Sequence, residues 1–202
     1  MRYAKKLPYF TIGNVAGIES DRNYLKTLFS RYAKSGKLIR IKRGIYATKE
    51  YVDTMQKNGA YVSYVEFLSA IMYQPSYMSL DYILYQRNIL TDIPKNFTCV
   101  TKRKTARFSN VFGNFFYHAI KEDLFCGYEN AEENTFIIPR ATAAKALFDY
   151  LYFRKNHIVN REAFSELRLN TKNLSKKDID EFKKYIRMEG SKKMKDIAHY
   201  FL

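Results

Sequence analysis

TIGNVAGIESDRNYLKTLFSRYAKSGKLIRIKRGIYAT, residues 11–48, is the stretch whose pattern decides the fold. The Ser20 hydroxyl can cap a helix, and Leu25, Leu28, Phe29 and Tyr32 follow it at the three- and four-residue spacing of a buried helix face. With Leu25 at the centre of that face and each residue advancing by about 100°, Asn23, Lys26, Thr27, Ser30 and Lys34 fall on the opposite side. That side is polar and cationic and holds no carboxylate. Such a surface suits a major groove, with Lys directed at phosphates or guanine edges and Asn at adenine. An ordinary solvated helix face is the alternative.

The residues that follow favour the first reading. Gly36 suits a left-handed helix end, and Leu38-Ile39-Arg40-Ile41 and Ile45-Tyr46-Ala47 are short β-type runs mirrored across Lys42-Arg43-Gly44. The spacing predicts a hairpin with a cationic tip, a wing that sets Arg40, Lys42 and Arg43 beside the second helix, within reach of the sugar–phosphate backbone or minor groove. Upstream, Pro8 stops a first helical segment. Thr11 caps a short helix through Ala16, with Ile12 and Val15 inward and Gly17 at its end. Two helices and a basic hairpin make a winged helix-turn-helix.

Charge is distributed to match. Of a formal +15, residues 1–50 carry +9, residues 51–153 carry zero and residues 154–202 carry +6. An anionic partner is expected, and its first contact is with the N-terminal 50 residues. The basic start MRYAKKLPYF lacks the apolar run of a signal peptide, and no later stretch is apolar for the roughly 18 residues of a membrane span, so a cytoplasmic protein without membrane contact is expected. Cys99 and Cys126 match no zinc or redox spacing and read as reduced, buried thiols. His118, His157 and His199 are equally scattered, so no metal and no cofactor are expected.

Residues 49–60, KEYVDTMQKNGA, read as a connection between a domain over 1–50 and a second over 61–202. In the second, Ser63 is placed to cap a helix with Val65, Leu68, Ile71 and Met72 inward, and a further helix in SLDYILYQRNIL turns Leu80, Ile83 and Leu84 inward. Short β-type pieces follow at 97–100, 107–108, 114–120 and 136–138, with an acidic loop at 129–134. A helix over 141–153 buries Ala146, Leu147, Tyr150 and Leu151. Asn160, Ser175 and Ser191 open three C-terminal helices, the second through a capping box with Asp178 and closed by Gly190. The fold class expected is α+β: a winged helix, then a small, mostly antiparallel sheet covered by helices on one face, then C-terminal helices.

Three stretches in this order, LIRIKRGIYA at 38–47, PSYMSLDYIL at 75–84 and RATAAKALFDYLYF at 140–153, resemble the AbiEi family of type IV toxin–antitoxin antitoxins, also described as transcriptional regulators. The resemblance covers about residues 7–155. It implies an N-terminal winged helix that binds inverted repeats in its own promoter and represses it. It further implies a C-terminal portion with antitoxin activity, paired in abortive infection (phage defence) with a nucleotidyltransferase-like toxin without a stable complex.

No convergent set of acids, bases or nucleophiles supports an enzyme. Asp81, Glu122, Asp123 and Asp149 lack the acid and acid-x-Lys spacing that a nuclease of the PD-(D/E)xK type needs on adjacent strands. Lys102, Arg103 and Lys104 are candidates for secondary phosphate contacts, with a solvated turn as the alternative. The 18 tyrosines read as core or interface rather than as a base-stacking platform. The remaining alternative is a winged helix that merely positions a nucleic-acid-processing or protein-interaction domain.

Overall fold

The computed structural model describes residues 4–15 and 21–201. Its N-terminal unit starts with a 3-10 turn, Ala4–Lys6, and continues through β1 (Phe10–Thr11), α1 (Ile12–Val15), α2 (Arg22–Lys34), β2 (Leu38–Lys42) and β3 (Ile45–Thr48). Ser20, Ala16 and Gly17 lie outside the described residues. The cap of α2 is Asp21, whose Oδ1 accepts from the amides of Asn23 and Tyr24 at 2.8 and 3.1 Å. At the other end of α2, Gly36 takes φ +72°, a left-handed conformation that reverses the chain into β2 at no steric cost. Thr11 caps α1 as expected, accepting from the Asn14 amide at 3.4 Å.

The three strands form one antiparallel sheet in the order β1-β3-β2. Its two faces have different partners. Leu38 and Tyr46 pack with Phe29 of α2 and with Phe10 in a small core of their own, while Ile41 and Ala47 belong to the main core of the rest of the chain. The hairpin is therefore clamped between α2 and the body.

Residues 49–60 do not form a loose connection. Thr48 caps α3 (Lys49–Lys57), accepting from the Tyr51 amide, and Val52 sits in the main core. A mostly polar segment folds as helix here because one buried side chain per few turns suffices when both flanking elements are fixed.

In the body, α4 (Tyr61–Met72), β4 (Ser76–Met78) and α5 (Leu80–Gln86) are followed by β5 (Phe97–Thr101), β6 (Ala106–Asn110), β7 (Gly113–Ala119), β8 (Tyr128–Glu133) and β9 (Phe136–Ala141). Ser63 does not cap α4; it lies within it and donates to the Ala60 carbonyl. The strands make one six-stranded sheet, β6-β7-β5-β4-β9-β8. It is mixed rather than mostly antiparallel: β5 and β7 run parallel, as do β4 and β9. The acidic stretch expected as a loop is the edge strand β8, paired along its whole length with β9. Charged side chains are tolerated, and useful, on an edge that must not recruit another strand.

Helices cover both faces of this sheet, not one. Register places Met78, Cys99 and Tyr117 side by side, and the Tyr117 hydroxyl donates to the Ser69 carbonyl of α4 at 2.6 Å. Tyr77, Val100 and His118 alternate to the opposite face. There they meet α6 (Ala143–Arg154): Tyr77 bonds Asp149 and His118 lies 5.2 Å from Phe153. The chain ends in α7 (Arg161–Ser165), α8 (Lys176–Glu189) and α9 (Lys192–Ala198), each with its expected N-cap at Asn160, Ser175 and Ser191. α8 packs beside α6 through Phe148 and Tyr185. The N-terminal unit docks on the α4 side, so it and α8 lie on opposite sides of the sheet. The architecture is α+β, with a three-stranded and a mixed six-stranded sheet.

Candidate nucleic-acid interface

Asn23, Lys26, Thr27, Ser30 and Lys34 are all exposed along one side of α2, which holds no acidic residue. Three of these side chains are engaged locally. The Thr27 hydroxyl donates to the Asn23 carbonyl at 3.1 Å, and the Lys26 amine lies 3.4 Å from the Asn23 Oδ1. The Asn23 Oδ1 is thus held by a neighbouring cation, a contact that a base edge or phosphate can exchange at little cost because both groups are in water.

Sequence spacing treats Arg40, Lys42 and Arg43 as equals, and the structure separates them. The register of the hairpin shifts between Arg40 and Lys42, a bulge that turns Lys42 toward the body. Its amine donates to the Met72 carbonyl at 2.8 Å and lies over the rings of Phe108, at 4.3 Å, and Tyr73, at 5.2 Å. Burial, with Arg103 nearby, pushes the amine below the ordinary lysine range. Arg40 and Arg43 remain exposed. They line, with Ser109, Asn110 and Val111, an open groove of about 430 Å³ between hairpin and β6.

The cations at 102–104 also divide. Lys102 is paired with Glu122 at 2.8 Å, which raises the amine and lowers the carboxyl. Arg103 lies 4.4 Å over the Tyr73 ring that Lys42 also approaches, and Lys104 is exposed while its carbonyl accepts from the Tyr73 hydroxyl at 2.9 Å. Tyr73 is therefore a post on which hairpin and body meet. Sequence reading missed it, and missed Asn110, whose side-chain amide donates to the Ile41 carbonyl at 2.9 Å. The only prior signal for Asn110 was its place in an Asn-x-x-Gly turn between two β-type runs.

Away from this surface, the body encloses two ionic clusters, one on each side of the sheet. Lys145 and Asp149 pair with no exposure of either side chain. Asp149 also accepts from the Ser79 and Tyr77 hydroxyls at 2.8 and 3.0 Å. Burial raises the Asp149 carboxyl, opposed by Lys145 and by the two hydroxyls. The cluster is sealed: a Cβ on Gly127 would stand 2.0 Å from the Tyr185 hydroxyl and 3.0 Å from Lys145. On the α4 side Glu66 pairs with Arg140 and accepts from Tyr82 and Gln86 at 2.7 and 2.8 Å. Arg140 also reaches Glu133 at 2.6 Å. The second and third motifs are thus one physical unit, since residues 75–84 and 140–153 hold each other by these bonds, and Arg154, the residue after the third motif, adds a pair with Asp81 at 3.0 Å.

Among the described residues no group of three or more His, Cys, Asp or Glu is placed to hold a metal ion, and no helix is long and apolar enough to cross a membrane. Cys99 is buried and its thiol is pushed up to about 12 by burial, whereas Cys126 is only half-buried, against the expectation of two buried thiols. No family model matches the sequence, and no curated protein matches it significantly.

Proposed function

We propose that this chain is a DNA-binding transcription regulator whose N-terminal unit acts as a winged helix-turn-helix, with α2 as recognition helix and the β2–β3 hairpin as wing. The observation that carries the reading is the outward side of α2, exposed and free of carboxylates, on a helix packed against the hairpin that holds the exposed Arg40 and Arg43. In this reading Asn23 and Thr27 contact bases. Lys26, Lys34, Arg40 and Arg43 neutralise phosphates. Arg103 and Lys104 extend the phosphate contacts from the body. Lys42 anchors the wing.

The order of the three motifs further supports an antitoxin of the AbiEi type. It autorepresses through inverted repeats and protects the cell from a nucleotidyltransferase-like toxin encoded beside it. The partners are then duplex DNA and, without a stable complex, that toxin; the place of action is the cytoplasm.

Duplex binding is tested by titrating the full chain with its own upstream region between 50 and 200 mM salt. These six phosphate contacts give a log–log slope of about −5.4. An affinity unchanged by salt overturns the reading. The antitoxin role is tested by co-expression with the neighbouring toxin: protection by wild type and by the variant Arg40→Ala, Arg43→Ala, Lys26→Ala supports it as a function separate from repression. Absence of protection by either leaves a plain regulator.

A further inference from the structure

The C-terminal helices carry a second cationic surface that the α2 site does not use. α8 buries Phe182, Tyr185 and Ile186 against the body, and α9 buries Met194, Ile197 and Ala198. The outward arcs hold Lys176, Lys183, Lys184, Arg187, Lys192 and Lys195, all exposed. None of the six is in an ion pair among the described residues. Three of the nearby carboxylates are committed elsewhere. Asp178 closes the capping box with Ser175, Glu181 accepts from Thr142 and Tyr185, and Glu189 pairs with Lys155 at 2.7 Å. Asp180, exposed among these cations on α8, and Asp196 on α9 remain, so the face carries six exposed cations against two carboxylates.

We propose that this α8–α9 face binds the phosphate backbone of a second duplex, so that one molecule bridges two DNA segments. The geometry rests on position: α8 packs beside α6, on the side of the sheet opposite to α4, on which the N-terminal unit docks. The sheet and the helix layer on each of its faces, packed about 10 Å apart, separate the two surfaces by more than the screening length of about 8 Å at physiological salt. Two duplexes held there repel each other weakly. From Lys176 to Arg187 the helix rises about 16 Å, enough to reach phosphates on both walls of a major groove about 12 Å wide.

Charge complementarity selects this occupant. A bilayer needs an apolar stripe to insert, and the apolar side of both helices is already spent on the core. A protein partner is recognised through buried aromatic anchors, and Met188 is the one large apolar side chain exposed on α8. Bridging rests on the duplex binding proposed for α2; the charge of the α8–α9 face does not.

The experiment tethers one duplex to beads and measures retention of a second, fluorescent duplex by the full chain at 50 mM salt. Wild type is expected to retain it. The variant Lys183→Glu, Lys184→Glu, Arg187→Glu, and the milder Lys183→Gln, Lys184→Gln, Arg187→Gln, lose retention tenfold or more while still binding a single duplex. The α2 and wing variant Lys26→Ala, Lys34→Ala, Arg40→Ala, Arg43→Ala also loses retention and keeps a residual, salt-dependent affinity owed to α8. Retention equal to wild type by the α8 variants overturns the proposal alone and leaves the α2 reading standing. Unchanged binding by the α2 variant, with all binding lost in the α8 variants, overturns both. Loss of binding to phosphatidylserine vesicles but not to duplex in the α8 variants assigns the face to a membrane and overturns the proposal.

Discussion

The lysines of α2 and the lysine of α6 differ in one respect that decides their roles. Lys26 and Lys34 stand in water with no carboxylate on their helix, whereas Lys145 is enclosed beside Asp149, and Arg140 is held in the same way by Glu66. An ion moved out of water loses several kcal/mol of solvation, so it persists inside only with a partner. The same residue type is thus available to a ligand at one site and consumed by the fold at the other. Counting charges along the chain does not separate the two; the distance to the next carboxylate does.

The largest effect expected from this contrast is on stability. Asp149→Ala leaves Lys145 charged, buried and unpaired, and should lower the unfolding free energy by about 3–5 kcal/mol, measured by urea titration, without altering the salt slope of duplex binding. A cost under about 1 kcal/mol would put the pair in the class of surface bridges and break the comparison. Replacing both partners, Lys145→Met with Asp149→Leu, should cost far less than the single change. On the exposed side, Asn23→Ala should leave stability unchanged and reduce the preference for the operator over random duplex by about 1–3 kcal/mol. Equal losses on both duplexes would reassign Asn23 to the backbone.

Smaller effects sharpen the contrast within the hairpin. Arg43→Ala should reduce the salt slope by about one. Lys42→Met should leave the slope unchanged and cost about 1 kcal/mol of stability, because its amine serves the Met72 carbonyl. The smallest effect is expected at His118, packed on Phe153 with Asp81, Arg154 and Arg107 around it. Burial holds its ring below the ordinary histidine value of 6.5. The unfolded chain therefore binds the proton more readily, and the stability present above pH 6.5 declines as the pH falls below it. The drop in melting temperature between pH 7.5 and 5.5 should shrink in His118→Phe.

Periodicity made α2 and its outward side legible, as it did the inward Leu80, Ile83 and Leu84 of α5. Capping chemistry did the same for Ser175 and Gly190 at the two ends of α8. What escaped has physical causes. β4 is three residues long and pairs with strands on both sides, and its parallel partner β9 lies some 60 residues on, beyond any local pattern. β8 reads as a loop because an edge strand can be acidic, and α3 as a connection because it buries Val52 alone. At the site, the spacing of Lys42 and Arg43 was visible and the bulge that parts them was not. The approach of Arg103 to Tyr73 is a tertiary event that neither stretch announces.

The docking of the hairpin carries a geometric consequence. The N-terminal unit is fastened to the body at several separated points: the Tyr64 hydroxyl on the Pro8 carbonyl at 2.6 Å, the Asn110 amide on Ile41, the Lys42 amine on Met72 and Lys5 on Glu50 at 2.7 Å. The N-terminal unit and the body therefore turn together. On the proposed function, a duplex seated on α2 imposes its helical heading on the whole molecule, and in any pair of copies on adjacent half-sites the allowed phasing is written in the rigid body, not in a tether. Extra residues inserted after Lys57 would lengthen nothing that moves, and half-sites shifted by about five base pairs, half of the 10–10.5 of a helical turn, would place the two bodies on opposite sides of the DNA.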